Sequence, residues 1–218
     1  MDWSEEIAKW LKEGKEGAEN LLDYPWDIRK EKVEGQEDKA LIVASHPKIP
    51  FNIEVVVGKH FANLVINPVI PTDAMDPTER MRLYKKLLHL NTDLNLMKAG
   101  LVGYDDKPII QVDLDFESLS YNEFNDALSL LIVGAQNLIN IMGLTQEMQE
   151  FMANRFIAII AAKLQEGETV EQIQDFLVNR GGLDDDSAKQ LITQTSLLMK
   201  KKEEKTERKT STPGPMYG

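Results

Sequence analysis

The chain contains no cysteine. That excludes a disulfide scaffold, thiol catalysis, and zinc or iron–sulfur sites built on cysteine. Histidine is nearly as scarce, with only His46, His60 and His89. They show neither HxH nor HExxH spacing, so the signature of a histidine metal centre is missing. His46 precedes a proline in a turn, His60 falls in a hairpin turn, and His89 sits one residue off an apolar stripe. All three read as structural or solvated. No glycine-rich phosphate loop is present: Gly58 and Lys59 lack the preceding glycine, and neither GxGxxG nor GxSxG occurs. The longest apolar runs, 128–133 and 156–162, are far short of the roughly 20 residues a bilayer-spanning helix needs. The start, Met1-Asp2-Trp3-Ser4-Glu5-Glu6, is charged and does not read as a signal peptide. These absences lead us to expect a cytoplasmic protein without membrane insertion, without cofactor or metal, and without catalysis.

What is present is acidic. Thirty-six acidic against 25 basic residues give −11 over 218 residues. The segment from Lys200 holds six basic and three acidic residues, so the body without it stands at −14. Such a body repels phosphate backbones, and no nucleic-acid partner is expected. The 42% hydrophobic content suffices for a buried core.

Residues 2–22 read as an amphipathic helix with Ile7, Trp10, Leu11, Ala18, Leu21 and Leu22 on its stripe. Gly14 and Gly17 either break it or allow a close backbone approach, and Pro25 ends it. Residues 26–70 read as a β-meander with strands at 28–33, 40–45, 51–57 and 61–70. In the third, Phe51, Ile53, Val55 and Val57 share a buried face. Asp76, Pro77 and Glu79 open a helix whose stripe is Leu83, Leu87, Leu90, Leu94 and Met97, with Gly100 after its end. A hairpin follows, with strands at 101–104 and 109–116 joined through 105–108. Ser120 and Glu123 form a capping box for a helix reaching about Met142. That helix is apolar on more than half its circumference, which predicts burial on its own sheet and again on something else.

Gly143 breaks the chain. Helices are expected at 145–166, 170–179 and about 186–202, with Thr169 and Gln172 as a capping box and Asp184, Asp185 and Asp186 at the start of the last. Phe151, Met152, Phe156, Ile159, Ile160, Leu164, Ile173, Phe176, Leu177, Leu191, Ile192 and Leu198 supply its core. Residues 203–218 cannot bury enough apolar surface to offset chain entropy and read as disordered. The expected architecture is α+β: an antiparallel sheet with flanking helices (1–143), a small all-α module (144–202) and a disordered tail (203–218).

Four places carry candidate function. Asp105, Asp106, Asp113 and Asp115 gather on one hairpin. They form a solvated face, an acidic surface for a basic partner, or a site for a hard cation, although the EF-hand pattern is absent. Leu130, Ile132 and Val133 widen the apolar helix and offer a dimer contact. Trp3, Trp10 and Trp26 serve the core or anchor an interface. Met216 and Tyr217, on a flexible Pro/Gly-rich end, are a frayed terminus or a short motif that docks in a partner's groove.

The stretch Arg80-Met81-Arg82-Leu83-Tyr84-Lys85-Lys86-Leu87-Leu88-His89-Leu90-Asn91-Thr92-Asp93-Leu94-Asn95, then Gly100-Leu101-Val102 and Pro108-Ile109-Ile110-Gln111-Val112-Asp113-Leu114-Asp115, resembles the type III secretion chaperone-like fold, including YbjN-type proteins. The shared features are a helix ending in a Leu-Asn-rich run and a hairpin leading into a long helix. The resemblance covers residues 2–143 and implies a small acidic homodimer that binds extended client segments without catalysis. The helical module departs from it, because secretion chaperones end after the last α+β helix. The expected function is a chaperone or adaptor for a client protein. The alternatives are a structural subunit of a larger complex, tethered by its tail, and an enzyme with an acidic metal site.

Overall fold

The computed structural model describes residues 2–15, 18–32, 39–68, 70 and 72–210, with side chains described as far as Met199. The chain divides into two compact units, Met1–Met148 and Gln149–Gly218. The fold is α+β.

In the first unit, β1 (Asp27–Lys32), β2 (Ala40–Ser45), β3 (Ile53–Val57), β4 (Phe61–Ile66), β5 (Met97–Val102) and β6 (Lys107–Asp115) form one sheet in the order β1-β2-β3-β4-β6-β5. Every pairing is antiparallel. Helices α1 (Trp3–Lys12), α2 (Pro77–Asp93) and α3 (Tyr121–Met142) pack on one face of it. Strand alternation supplies that face: Ile42 and Ala44, then Ile53, Val55 and Val57, then Ala62, Leu64 and Ile66, then Ile110, Val112 and Leu114 are all buried. Each fully buried aliphatic side chain contributes about 1.5–3 kcal/mol.

The first helix is shorter than its apolar stripe suggests. It ends at Lys12, and the chain doubles back: Lys15 N–H donates to Asp23 O at 2.8 Å and Trp26 N–H to Leu11 O at 2.7 Å. Gly14 makes this possible, since a Cβ there would lie 2.9 Å from Pro25 Cδ. Leu21 and Leu22 belong to a short 3-10 turn, Leu21–Asp23, rather than to the helix.

Asp76 caps α2, its Oδ1 accepting the Thr78 and Glu79 amides at 2.7 and 3.0 Å. The helix stops at Asp93, earlier than the stripe through Leu94 and Met97 predicts. Leu94 is extended and Leu96 is left-handed at φ 68°. Met97 and Gly100 therefore lie in β5, and Gly100 does not close the helix. Met97 sits beneath Gly134 of α3, where a Cβ would collide with its Sδ. The hairpin turn falls at 103–106, with Gly103 and Asp106 at positive φ, so Lys107 and Pro108 start β6. β4 ends at Ile66, four residues before the expected end, because Pro68 lacks the N–H a ladder needs. Val33, expected to end the first strand, lies outside the described residues. At α3, Ser120 Oγ accepts the Glu123 amide, but the Glu123 carboxylate takes the Ser118 hydroxyl, leaving the capping box half made.

The second unit contains the rest of α4 (Thr145–Gln165), then α5 (Val170–Asn179) and α6 (Asp185–Thr210). Phe156, Ile160, Ile173, Leu177, Ala188 and Ile192 form its core. Phe151 and Leu198, expected inside, are 52% and 55% exposed. Thr169 and Gln172 close a full capping box on α5. Asp184 receives the amide and hydroxyl of Ser187 at 2.9 and 2.8 Å. α6 continues to Thr210, so the tail expected to be disordered from 203 begins in helix, in keeping with the high helix propensity of its Lys, Glu and Arg. Residues 211–218, with Met216 and Tyr217, lie outside the described residues.

Candidate functional site

The second face of the sheet is partly open. Register places Arg29, Val43, Glu54, Val65, Gln111 and Lys98 in one row across all six strands. A second row holds Glu31, Leu41, Val56, Asn63 and Asp113. At about 4.8 Å between strands, the face is roughly 24 Å wide. Leu41, Val43, Val56, Val65 and Ile109 are half-buried, and Phe61 is 47% exposed. Charges border these apolar positions: Arg29 pairs with Glu31 at 2.5 Å, and Lys98 with Asp113. A shallow hollow of about 220 Å³ at one corner is lined by Asp27, Arg29, Val43, Ser45 and Asn52, among others. The arrangement can hold an apolar chain segment and orient it by charge.

The four hairpin aspartates do not converge. Asp105 pairs with Lys107 at 2.8 Å, which holds its carboxyl below the ordinary range. Asp106 accepts the Tyr84 hydroxyl at 2.6 Å, and that bond pushes the phenol's pKa up. Thr72 Oγ donates to Asp105 O at 2.6 Å, so the turn is pinned from two sides. Asp113 lies on the open face, roughly 20 Å along the strand. Burial works to raise its carboxyl, but the Lys98 ammonium and the Asn63 amide outweigh that and hold it low. Asp115 Oδ1 accepts the Glu117 amide at 2.9 Å. Among the described residues, no group of three His, Asp or Glu is placed to hold a metal.

Leu130, Ile132 and Val133 part company. Ile132 is buried in the first unit's core, Leu130 is packed against that core, and Val133 is 48% exposed. The apolar surplus of α3 is consumed inside its own unit, by the sheet below, α2 on one flank and the 21–23 turn on the other. Its exposed stripe of Asn122, Asp126, Gln136 and Asn140 leaves Val133 as an isolated apolar residue. The tryptophans join the same core. Trp26 is 3% exposed, Trp3 stacks on Phe116 at 5.0 Å, and Trp10 meets Tyr121 edge-on at 5.9 Å. His46 is buried beside Trp26, its Nδ1 accepting the Lys48 amide at 3.2 Å.

Two polar clusters escaped the sequence reading. In one, buried Asp23 gathers the Asn20 amide at 3.0 Å, the Tyr121 hydroxyl at 2.8 Å and the Lys15 ammonium at 3.1 Å. The Asn20 amide and the Tyr121 hydroxyl are the main reasons its carboxyl lies far below the usual range. Lys15 also stands 3.9 Å above the Tyr121 ring. In the other, the Asn91 side chain accepts the Ala99 N–H at 2.6 Å and donates to Ala99 O at 3.0 Å. The Leu-Asn run in the sequence contains Asn91, but nothing there announces its partner. In the second unit, Glu171, Gln174, Asp175, Val178, Asn179 and Asp185 line an acidic groove of about 360 Å³. Gln174 and Asn179 each donate to one of its aspartates.

Comparison with known proteins yields family matches alone. No curated protein and no solved structure matches the chain. Residues 143–207 match a family model named HTH_78 and described as a domain of unknown function. Residues 6–142, the sheet with its three helices, match the model described as Domain of unknown function (DUF8183), and the chain belongs to that family.

Proposed function

We propose that this protein is a non-catalytic binder of other proteins, a cytoplasmic chaperone or adaptor that works as a dimer. The observation that carries the reading is the open sheet face, where half-buried Val43, Val56 and Val65 alternate with charged neighbours. Apolar strips bordered by charge suit extended segments of a client, whose alternate side chains meet apolar and polar positions in turn. The resemblance to secretion chaperones supports the same reading. No helix among the described residues is long and apolar enough to cross a membrane.

The second unit is assigned to protein contact as well. α5 and α6 are joined by the short turn 180–184, a helix–turn–helix arrangement. In nucleic-acid readers of that shape the second helix enters the groove N-terminus first. Here that end bears Asp184, Asp185 and Asp186, which phosphates repel.

The test is suppression of aggregation of the reduced insulin B chain, followed by light scattering, with the full chain and with a Val43→Glu, Val65→Glu variant. We expect the wild type to suppress aggregation at near-stoichiometric ratio and the variant to lose most of that capacity. A wild type without effect, or a variant as active as the wild type, overturns the reading.

A further inference from the structure

The two edges of the sheet are protected by different means. β1 reads Asp-Ile-Arg-Lys-Glu-Lys, with five of its six residues charged, a composition that discourages strand pairing. β5 reads Met-Lys-Ala-Gly-Leu-Val, with one charge and no proline. Among the described residues, its guard is the Asn91 side chain. The Asn91 amide makes both hydrogen bonds to Ala99 that a neighbouring strand would make. The backbone groups of Ala99 therefore point away from β6. By the two-residue alternation of an antiparallel ladder, those of Met97 and Leu101 point the same way. Pro108, which has no N–H to give, stands opposite Leu101, as this register requires.

The surface around this edge is apolar. Of the large apolar side chains exposed on the described part of the first unit, all but Phe61 and Val133 lie on α2, on β5 or in the turns bounding β5. On α2, Met81, Tyr84, Leu88 and Asn91 follow at spacings of three, four and three, which is one helix face. Tyr84 and Asn91 bond to the hairpin turn and to β5, so that face runs along the edge. Met81 and Leu88 on it are 66% and 68% exposed, and Leu101 and Val102 are 38% and 47% exposed.

We propose that this corner is a self-association surface, in which β5 pairs antiparallel with β5 of a second copy about a two-fold at Ala99, and that Asn91 holds the edge shut in the free chain. The register follows from the strand. Centred on Ala99, Met97 lies opposite Leu101 of the second copy, and Val102 comes beside its Leu96, which is 83% exposed in the free chain. All three outward-pointing residues exchange hydrogen bonds. The α2 faces bearing Leu88 approach each other above the joined sheet. The contact is isologous and closes at two copies. Both Asn91 amides must swing away, so the same side chain that satisfies the edge sets the strength of pairing. This inference does not rest on the client reading, and its test involves no client.

The experiment measures the mass of the full chain by light scattering across a concentration series, for the wild type, Asn91→Ala, Leu88→Glu and the double variant. Asn91 and Leu88 are exposed, so their replacement leaves the core intact, and tryptophan fluorescence verifies this. We expect Asn91→Ala to tighten dimerisation about ten-fold or more, because two competing hydrogen bonds are gone. Leu88→Glu, alone or with Asn91→Ala, should return the chain to monomer. The proposal is overturned if Asn91→Ala stays monomeric throughout the series, or if a dimer forms that Leu88→Glu leaves intact.

Discussion

Asp23 is the residue on which most of the first unit's polar order converges. It ties the returning loop to α3 through Tyr121 and to the loop's own start through Lys15. Its folded pKa lies well below the value of about 3.9 expected for an unfolded aspartate. A depressed carboxylate contributes stability above the unfolded value, and that contribution is lost as pH falls toward the folded one. The wild type should therefore lose stability steadily below about pH 4. Asp23→Asn should be less stable at neutral pH and should show a shallower acid limb. Urea midpoints measured from pH 6 down to pH 2.5 compare the two, and parallel limbs would show that Asp23 is not the linked group. None of this was legible in the sequence. Asp23 stands beside an apolar pair and before Pro25, and its partners Lys15 and Tyr121 are 8 and 98 positions away.

At the level of elements, the sequence was most legible where a local rule decides. Asp76 before Pro77, Thr169 with Gln172 and the alternation in β6 each depend on neighbours a few residues away, and each holds. Thr169→Ala removes the hydroxyl that accepts the Gln172 amide, and should cost about 1 kcal/mol, typical of a lost N-cap. The loss should show as a lower midpoint in helical circular dichroism with unchanged tryptophan emission, and an unchanged midpoint would show that the cap is redundant. Reading failed where two periods coincide. Leu90, Leu94 and Met97 keep helical spacing, yet Met97 is a strand residue, and the break falls at a left-handed Leu96 that no glycine or asparagine marks. The surplus apolar surface of α3 was seen correctly, but its partner was not. Sequence periodicity reports that a face is buried, not whether α2, the 21–23 turn or another chain buries it. The same limit hid Asn91, whose role depends on an edge strand that only the sheet order β4-β6-β5 reveals.

For the whole molecule, the informative fact is how the aromatic residues are divided. All three tryptophans, Trp3, Trp10 and Trp26, belong to the first unit, where they pack against the sheet and α3. The second unit has no tryptophan, and its described part contains helices and turns but no strand. Tryptophan emission therefore follows the first unit alone, whereas circular dichroism at 222 nm follows the helices of both units. The units have separate buried clusters, one built on a sheet and one on Phe156, Ile160, Ile173, Leu177, Ala188 and Ile192. The second cluster is small, so it has less apolar area to set against chain entropy. A chain that unfolds in one step gives coincident curves by both probes, and one with independent units does not. We expect the dichroism transition to begin at lower urea than the emission transition, with the helical module melting first. Coincident midpoints would mean that α4, which starts in one unit and continues through the other, couples them into one cooperative whole.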